Sequence, residues 1–180
     1  LTRIAREGLA APDGNGLFGG FDSPLINDAG RVAFRSFSMT GTSGGTADDS
    51  GIFAGTSRNN LVTIAREGDA APDGNGLLNL SFSPTAMNNA GEVAFYSTLI
   101  GTSGGIDDNS GIYRGDGTSL RKIVREGQAS PDGNGAFSDF SSSPSMNARG
   151  TVAFEGFLRD TAAGSLDNRG LFRGTGSTPV

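Results

Sequence analysis

The chain has 180 residues, of which 30 are Gly and 35% are hydrophobic; its formal net charge is −5, and it contains neither Cys nor His. That length suits one ordinary domain or slightly more, and the missing Cys and His remove disulfides, thiol nucleophiles, Ser-His-Asp triads and nearly every zinc, copper or haem site. An acidic chain without a basic stripe argues against nucleic acid as a partner, and no segment approaches the roughly 18 apolar residues of a membrane span.

Long helices are also disfavoured, because the longest run free of Gly and Pro is residues 56–67, and it carries the β-branched Val62, Thr63 and Ile64. In chain order, residues 1–8 (Leu-x-x-Ile-x-Arg-Glu-Gly) have the apolar alternation of a strand, followed by the turn residues Pro12-Asp13-Gly14-Asn15-Gly16. Residues 27–34 read Asn-x-x-Gly-x-Val-Ala-Phe, a turn that feeds a strand, and residues 51–55 (Gly-Ile-Phe-Ala-Gly) are a further short strand.

From residue 61 the order begins again. Arg6-Glu7-Gly8 returns as Arg66-Glu67-Gly68 and as Arg125-Glu126-Gly127, spacings of 60 and 59. The Pro-Asp-Gly-Asn-Gly turn, the Asn-x-x-Gly-x-Val-Ala-Phe signature (27–34, 88–95, 147–154) and the Gly-[Ile/Leu]-[Phe/Tyr]-x-Gly segment (51–55, 111–115, 170–174) return in the same order. The chain therefore divides into three units, residues 1–60, 61–119 and 120–180, which form one repeat array.

The second unit shows the expected elements: a strand over 61–66, a short strand around 83–87, a tight turn at 88–91, a strand over 92–100, a Gly, Ser and Asp-rich loop over 101–110, and a strand near 111–115. Four strands joined by local reversals make an antiparallel meander, so the expected class is all-β, with each unit a β-propeller-like blade. Propellers usually close with four to eight blades, so three units leave the ring open. The chain starts on the strand that follows the 170–174 strand in the repeat, so residues 1–8 are suited to complete the sheet at that end. Two copies exchanging first strands would close a six-bladed ring. The alternative is a self-closed β-trefoil or β-prism, and strand donation that never closes would give a fibre.

Thirteen of the fourteen basic residues are Arg, Lys122 being the exception, which favours planar, hydrogen-bonded ion pairs. Arg6, Arg66 and Arg125, with Glu7, Glu67 and Glu126, form the strongest repeated polar feature. Neighbouring strand residues point to opposite faces, so each Arg is expected to reach a carboxylate in the turn that follows it, Asp13, Asp73 or Asp132, as a structural ion pair. Those turns also suggest calcium: Asp13 and Asn15, Asp73 and Asn75, and Asp132 and Asn134 resemble the first half of a calcium loop. The second half is missing, since the twelfth position falls on Pro24, Pro84 and Ser143, and the same residue types serve a tight turn without an ion.

A further acidic cluster precedes the last strand of each unit (Asp48-Asp49, Asp107-Asp108 and Asp167), and its drift between copies favours a solvated loop. Val-Ala-Phe reads as core. Tyr96 and Tyr113 offer the rings for stacking on a glycan, and Asn79-Leu80-Ser81 is the single sequon. No unit carries a constellation that breaks the repeat in the way a catalytic site does, so no catalytic residue is expected.

These motifs, Asn-x-x-Gly-x-Val-Ala-Phe, Ile-[Ala/Val]-Arg-Glu-Gly and Pro-Asp-Gly-Asn-Gly, resemble those of bacterial surface proteins with NxxGxxAF tandem repeats, the choice-of-anchor tandem-repeat family, across all three units. The resemblance implies an extracellular or cell-surface location, where members carry several repeats between a secretion signal and a sorting anchor. These residues contain neither, and with Leu1 in place of Met they read as a processed product or a repeat region excerpted from a longer chain. The family implies no catalytic residues. The expected function is non-catalytic structural assembly with copies of itself as dimer or fibre, the alternative being a carbohydrate- or calcium-binding module.

Overall fold

The computed structural model describes residues 1–176. Among them, helix is confined to four 3-10 turns, Gly45–Ala47, Arg58–Asn60, Gly105–Asp107 and Gly164–Leu166, and the rest of the regular structure is antiparallel sheet. Sheet A runs β1 (Gly20–Ile26), β2 (Val32–Phe37), β3 (Gly51–Gly55), β4 (Val62–Arg66) in spatial order. In sheet B, β5 (Leu77–Asn79) and β6 (Ala86–Met87) both pair with β7 (Val93–Ile100), followed by β8 (Ser110–Gly115) and β9 (Leu120–Arg125). Sheet C repeats this with β10 (Ala136–Phe140) and β11 (Ser145–Met146) on β12 (Val152–Arg159), followed by β13 (Arg169–Gly174).

The all-β expectation holds, and the sheets straddle the unit boundaries. The first strand of unit two, β4, pairs with β3 of unit one, and β9 of unit three pairs with β8 of unit two, while β13 has no fourth strand among the described residues. Residues 1–6, expected as a strand, carry no sheet pairing among the described residues, whereas β3 and β8 hold the equivalent segments of the next unit. The strand expected around 83–87 is reduced to Ala86–Met87, because Pro84 cannot donate to a ladder. In sheet A the same stretch stays continuous through a bulge between Asp22 and Leu25, with Ser23 at φ 41° before Pro24.

The turn at 88–91 forms as expected: Gly91 N donates to Asn88 O at 3.0 Å, the Asn88 side chain accepts from Glu92 N at 3.0 Å, and Gly91 takes φ 84°. The Gly-x-aromatic motif has a steric origin. A Cβ on Gly111 would stand 2.8 Å from the Tyr113 hydroxyl, and one on Gly51 or Gly170 would stand 2.7 Å from the ring of Phe53 or Phe172. These glycines leave room for the ring two residues on, which leans back along its own strand.

Alternation along β7 divides the packing of sheet B. Val93 and Phe95, with Tyr113 of β8, pack against Ala33, Ile52, Ala54 and Ile64 of sheet A. Ala94, Tyr96 and Ile112 face the other way, against Phe137, Phe140, Val152 and Phe154 of sheet C. Sheet B is thus covered on both faces by its neighbours, and no barrel closes among the described residues. The alternative of a self-closed trefoil or prism, in which the repeats share one central core, does not describe this arrangement. A third cluster, Phe18, Phe34 and Phe53, lies on the outer face of sheet A, where Ile4, Ala5 and Leu9 lean on it.

Candidate functional site

The repeated polar residues converge at the junctions between units. Arg66 ends β4, and β4 lies on the edge of unit one's sheet, so its side chain meets the unit-one turn. Nε donates to Asp48 O at 2.9 Å, Nη1 to Asp13 Oδ2 at 3.1 Å and Nη2 to Asn15 O at 2.7 Å. Arg125 repeats this one unit on, with Nε to Asp108 O at 2.9 Å and Nη1 to Asp73 Oδ1 at 2.8 Å. Lys122 adds a second cation on Asp73 at 3.1 Å, where the equivalent Thr63 hydroxyl donates to Asp13 at 3.2 Å. Each Arg therefore takes the carboxylate of the preceding unit's turn. The expected pairs Arg66 with Asp73 and Arg125 with Asp132 do not form, because pairing each first strand to the sheet behind it carries the side chain away from its own turn. Desolvation pushes the Asp73 carboxyl up, and Lys122 and Arg125 outweigh it, holding it below the usual carboxylate range.

Glu7, Glu67 and Glu126 form no ion pair among the described residues, which corrects their assignment as ion-pair members. The Glu126 carboxylate accepts from Asn109 N at 3.0 Å and Ser110 Oγ at 3.2 Å. Burial raises the carboxyl pKa of both Glu67 and Glu126, and Asp49 adds to the rise at Glu67. Arg6 and Glu7 are exposed, and Arg6 has no ion-pair partner among the described residues.

The turn and the acidic loop, read as separate features in the sequence, lock together. Asn15 Nδ2 donates to Asp48 Oδ2 at 2.8 Å, Asn15 Oδ1 accepts from Ser43 N at 2.8 Å, and Gly44 N donates to Asp48 at 3.1 Å. Asn75 with Asp108 and Asn134 with Asp167 repeat the side-chain bond at 2.8 Å. Hydrogen bonds from Thr42 and Asn15 bring the Asp48 carboxyl down to about 2. Asp13, Asn15, Asp73, Asn75 and Asn134 thus spend side-chain oxygens on protein donors, and Asp132 accepts from the Ser130 hydroxyl at 2.6 Å and from Asn134 N at 3.0 Å. Among the described residues no three acidic groups gather into a cation cage. Long-range pairing of Asn with the Asp of a distant loop was not visible in spacing alone; its signal was the recurrence of both in every unit.

The sequence reading also missed a polar pocket of about 350 Å³ where sheets A and B meet, lined in part by Asp22, Arg35, Asp49, Ser50 and Glu67. Arg35 Nη1 pairs with Asp22 at 3.1 Å, and Nε donates to Ser50 at 3.2 Å. The position of Arg35 is held by Tyr96 in unit two and Glu155 in unit three, so this pocket departs from the repeat. Tyr96 and Tyr113, considered for stacking on sugar, are 6% and 0% exposed and present no ring face to solvent.

No curated protein and no solved structure matches the chain. The model of one family, described as a family of unknown function (DUF7453), matches residues 1–175. Nearly the whole chain, including both arginine–aspartate junctions, falls within that match, and the protein belongs to this family.

Proposed function

We propose that this protein is a non-catalytic repeat scaffold of the cell exterior whose work is assembly with copies of itself. The observation that carries the reading is the sharing of sheets: A and B each take their last strand from the following unit, and β13 has no fourth strand among the described residues. An unpaired edge of this kind recruits another strand. The most repeated polar groups are spent on joining unit to unit, which is how solenoid and propeller arrays use them.

Stacked sheets of four to five strands in which β6 approaches both β1 and β11 support a propeller-like wedge, closed as a six-bladed ring by two copies or extended as a fibre. The extracellular placement rests on the resemblance to the tandem-repeat surface proteins. Light scattering after size exclusion tests the reading: twice the 18.3 kDa chain mass supports the ring, heterogeneous larger species support the fibre, and a single-chain mass at every concentration refutes assembly. A second reading, a carbohydrate-binding module, is favoured by the polar pocket at Arg35 and Glu67. Glycan-array binding lost in Arg35→Ala would support it, and calorimetric heat on adding calcium would support the calcium form of the same reading.

A further inference from the structure

The junction between sheets B and C shows what the repeat does with the space beside its Glu, and the junction between sheets A and B departs from it. At the B–C junction the Glu126 carboxylate accepts from Asn109 N at 3.0 Å and from Ser110 Oγ at 3.2 Å. Tyr96, 6% exposed, packs there against Phe137 and Phe140 and donates its hydroxyl to Asp139 at 3.2 Å. At the A–B junction the counterparts of Tyr96 and Asn109 are Arg35 and Asp49. Asp22 pairs with the Arg35 guanidinium at 3.1 Å, and the Ser50 hydroxyl accepts from its Nε at 3.2 Å, whereas Ser110, the counterpart of Ser50, donates to Glu126. Two departures from the repeat thus fall on one spot, and where the repeat buries a ring this junction holds the polar pocket of about 350 Å³.

The charges in that pocket do not balance. Asp22 neutralises Arg35, and its second oxygen accepts from the Ser83 hydroxyl. Asp49 and Glu67 remain, and neither is ion-paired among the described residues. Burial raises the Glu67 carboxyl, and the Asp49 carboxylate raises it further, more than Arg35 offsets. A ligand that fits therefore brings a positive charge to the two carboxylates. It is also larger than an ion: among the described residues no three acidic groups gather into a cation cage, and the volume suits a small organic molecule. Phe37 and Leu80 give the pocket an apolar wall, while the Ser38 and Ser81 hydroxyls and Arg35 Nη2, which has no acceptor among the described residues, are suited to hydroxyl groups.

We propose that this pocket binds an amino sugar, with the ammonium group held by Asp49 and Glu67 and the ring hydroxyls by Arg35 and the pocket serines. This deepens the carbohydrate-binding reading and rests on it. The site belongs to unit one alone, because Asn109 and Asn168 stand in place of Asp49, and Tyr96 and Glu155 in place of Arg35.

Isothermal titration with the glucosamine trimer, the N-acetylglucosamine trimer and the glucose trimer tests this. The free amine is expected to bind at one site per chain and about tenfold more tightly than either neutral trimer. Asp49→Asn installs the residue that unit two carries and is expected to abolish that preference. Arg35→Tyr with Asp49→Asn rebuilds the filling of unit two and is expected to abolish binding. One positive and one negative group are lost together, so the formal net charge stays at −5, which separates the pocket from a general attraction between an acidic protein and a polycation. Equal affinity for all three trimers refutes the amino-sugar assignment and leaves the carbohydrate reading standing, whereas no heat with any of them refutes both. Binding retained in the double variant refutes this pocket as the site, and spermidine, a triamine without hydroxyls, binding as tightly as the glucosamine trimer refutes the sugar as the ligand.

Discussion

Arg66→Ala isolates what one junction contributes. The Arg66 side chain is 6% exposed, and its guanidinium donates to three acceptors at 2.7, 2.9 and 3.1 Å, two of them backbone carbonyls. Truncation strips all three at once. Breaking a fully buried pair costs about 3–5 kcal/mol and a hydrogen bond to a charged group about 1.5–3 kcal/mol. Asp13, however, is 26% exposed and can be rehydrated, which brings the expected loss to roughly 2–4 kcal/mol. For a chain of this size that is a fall in melting temperature on the order of 5–15 °C. Calorimetry or urea unfolding followed by circular dichroism reads it. The transition should also broaden, because Arg66 clips unit two to unit one and junctions set the cooperativity of a repeat array. Arg66→Lys keeps the charge but not the planar fork, and should recover less than half of the loss. Arg58→Ala, on an exposed 3-10 turn, is the control and should stay within about 0.5 kcal/mol. A loss at Arg66→Ala below about 0.5 kcal/mol would refute the junction as a stabilising device.

Two further outcomes follow from the same geometry. Gly111→Ala inserts a methyl 2.8 Å from the buried Tyr113 hydroxyl, and overpacking of this kind should cost about 1–3 kcal/mol in the same unfolding assay, with Tyr113→Phe in the same chain recovering part of it. Acid should act in two opposite directions. Asp48, Asp108 and Asp167 have folded-state values below the unfolded ones, so their stabilisation is present above the unfolded value near pH 4 and is lost as the pH falls through the folded-state values, which for Asp48 is about 2. Glu67 and Glu126 have raised values, so their ionisation costs stability as the pH climbs past 4.5, and Glu67→Gln should be neutral or stabilising at pH 7. A melting temperature that rises monotonically from pH 2 to 7, with Glu67→Gln less stable than wild type at pH 7, would contradict the assignment.

Residues 88–100 and 111–115 were legible as turn and strands because their information is local: Asn88 and Gly91 set a turn by backbone geometry, and the strand that follows alternates with a period of two. The repeat itself was legible for the same reason, since identity at fixed spacing needs no structure to be seen. What spacing could not decide was which copy of a repeated group each side chain meets. Arg66 has Asp13 and Asp73 as near-identical candidates in sequence, and only the pairing of β4 to β3 selects Asp13. The strand character of residues 1–8 was equally invisible as a conditional property: the same pattern is a strand in β4 and β9, where a sheet edge receives it, and unpaired in residues 1–6, where none does. The pocket at Arg35 depends on segments of sheets A and B meeting, so its side chains carry no common local signal. By itself the sequence determined the class of elements, their order and the unit that repeats, because hydrophobic period and turn chemistry act within a few residues. Only the tertiary structure decided which unit completes which sheet and which charges are left without partners, because those depend on contacts made about 50–60 residues apart, where every unit offers an equivalent choice.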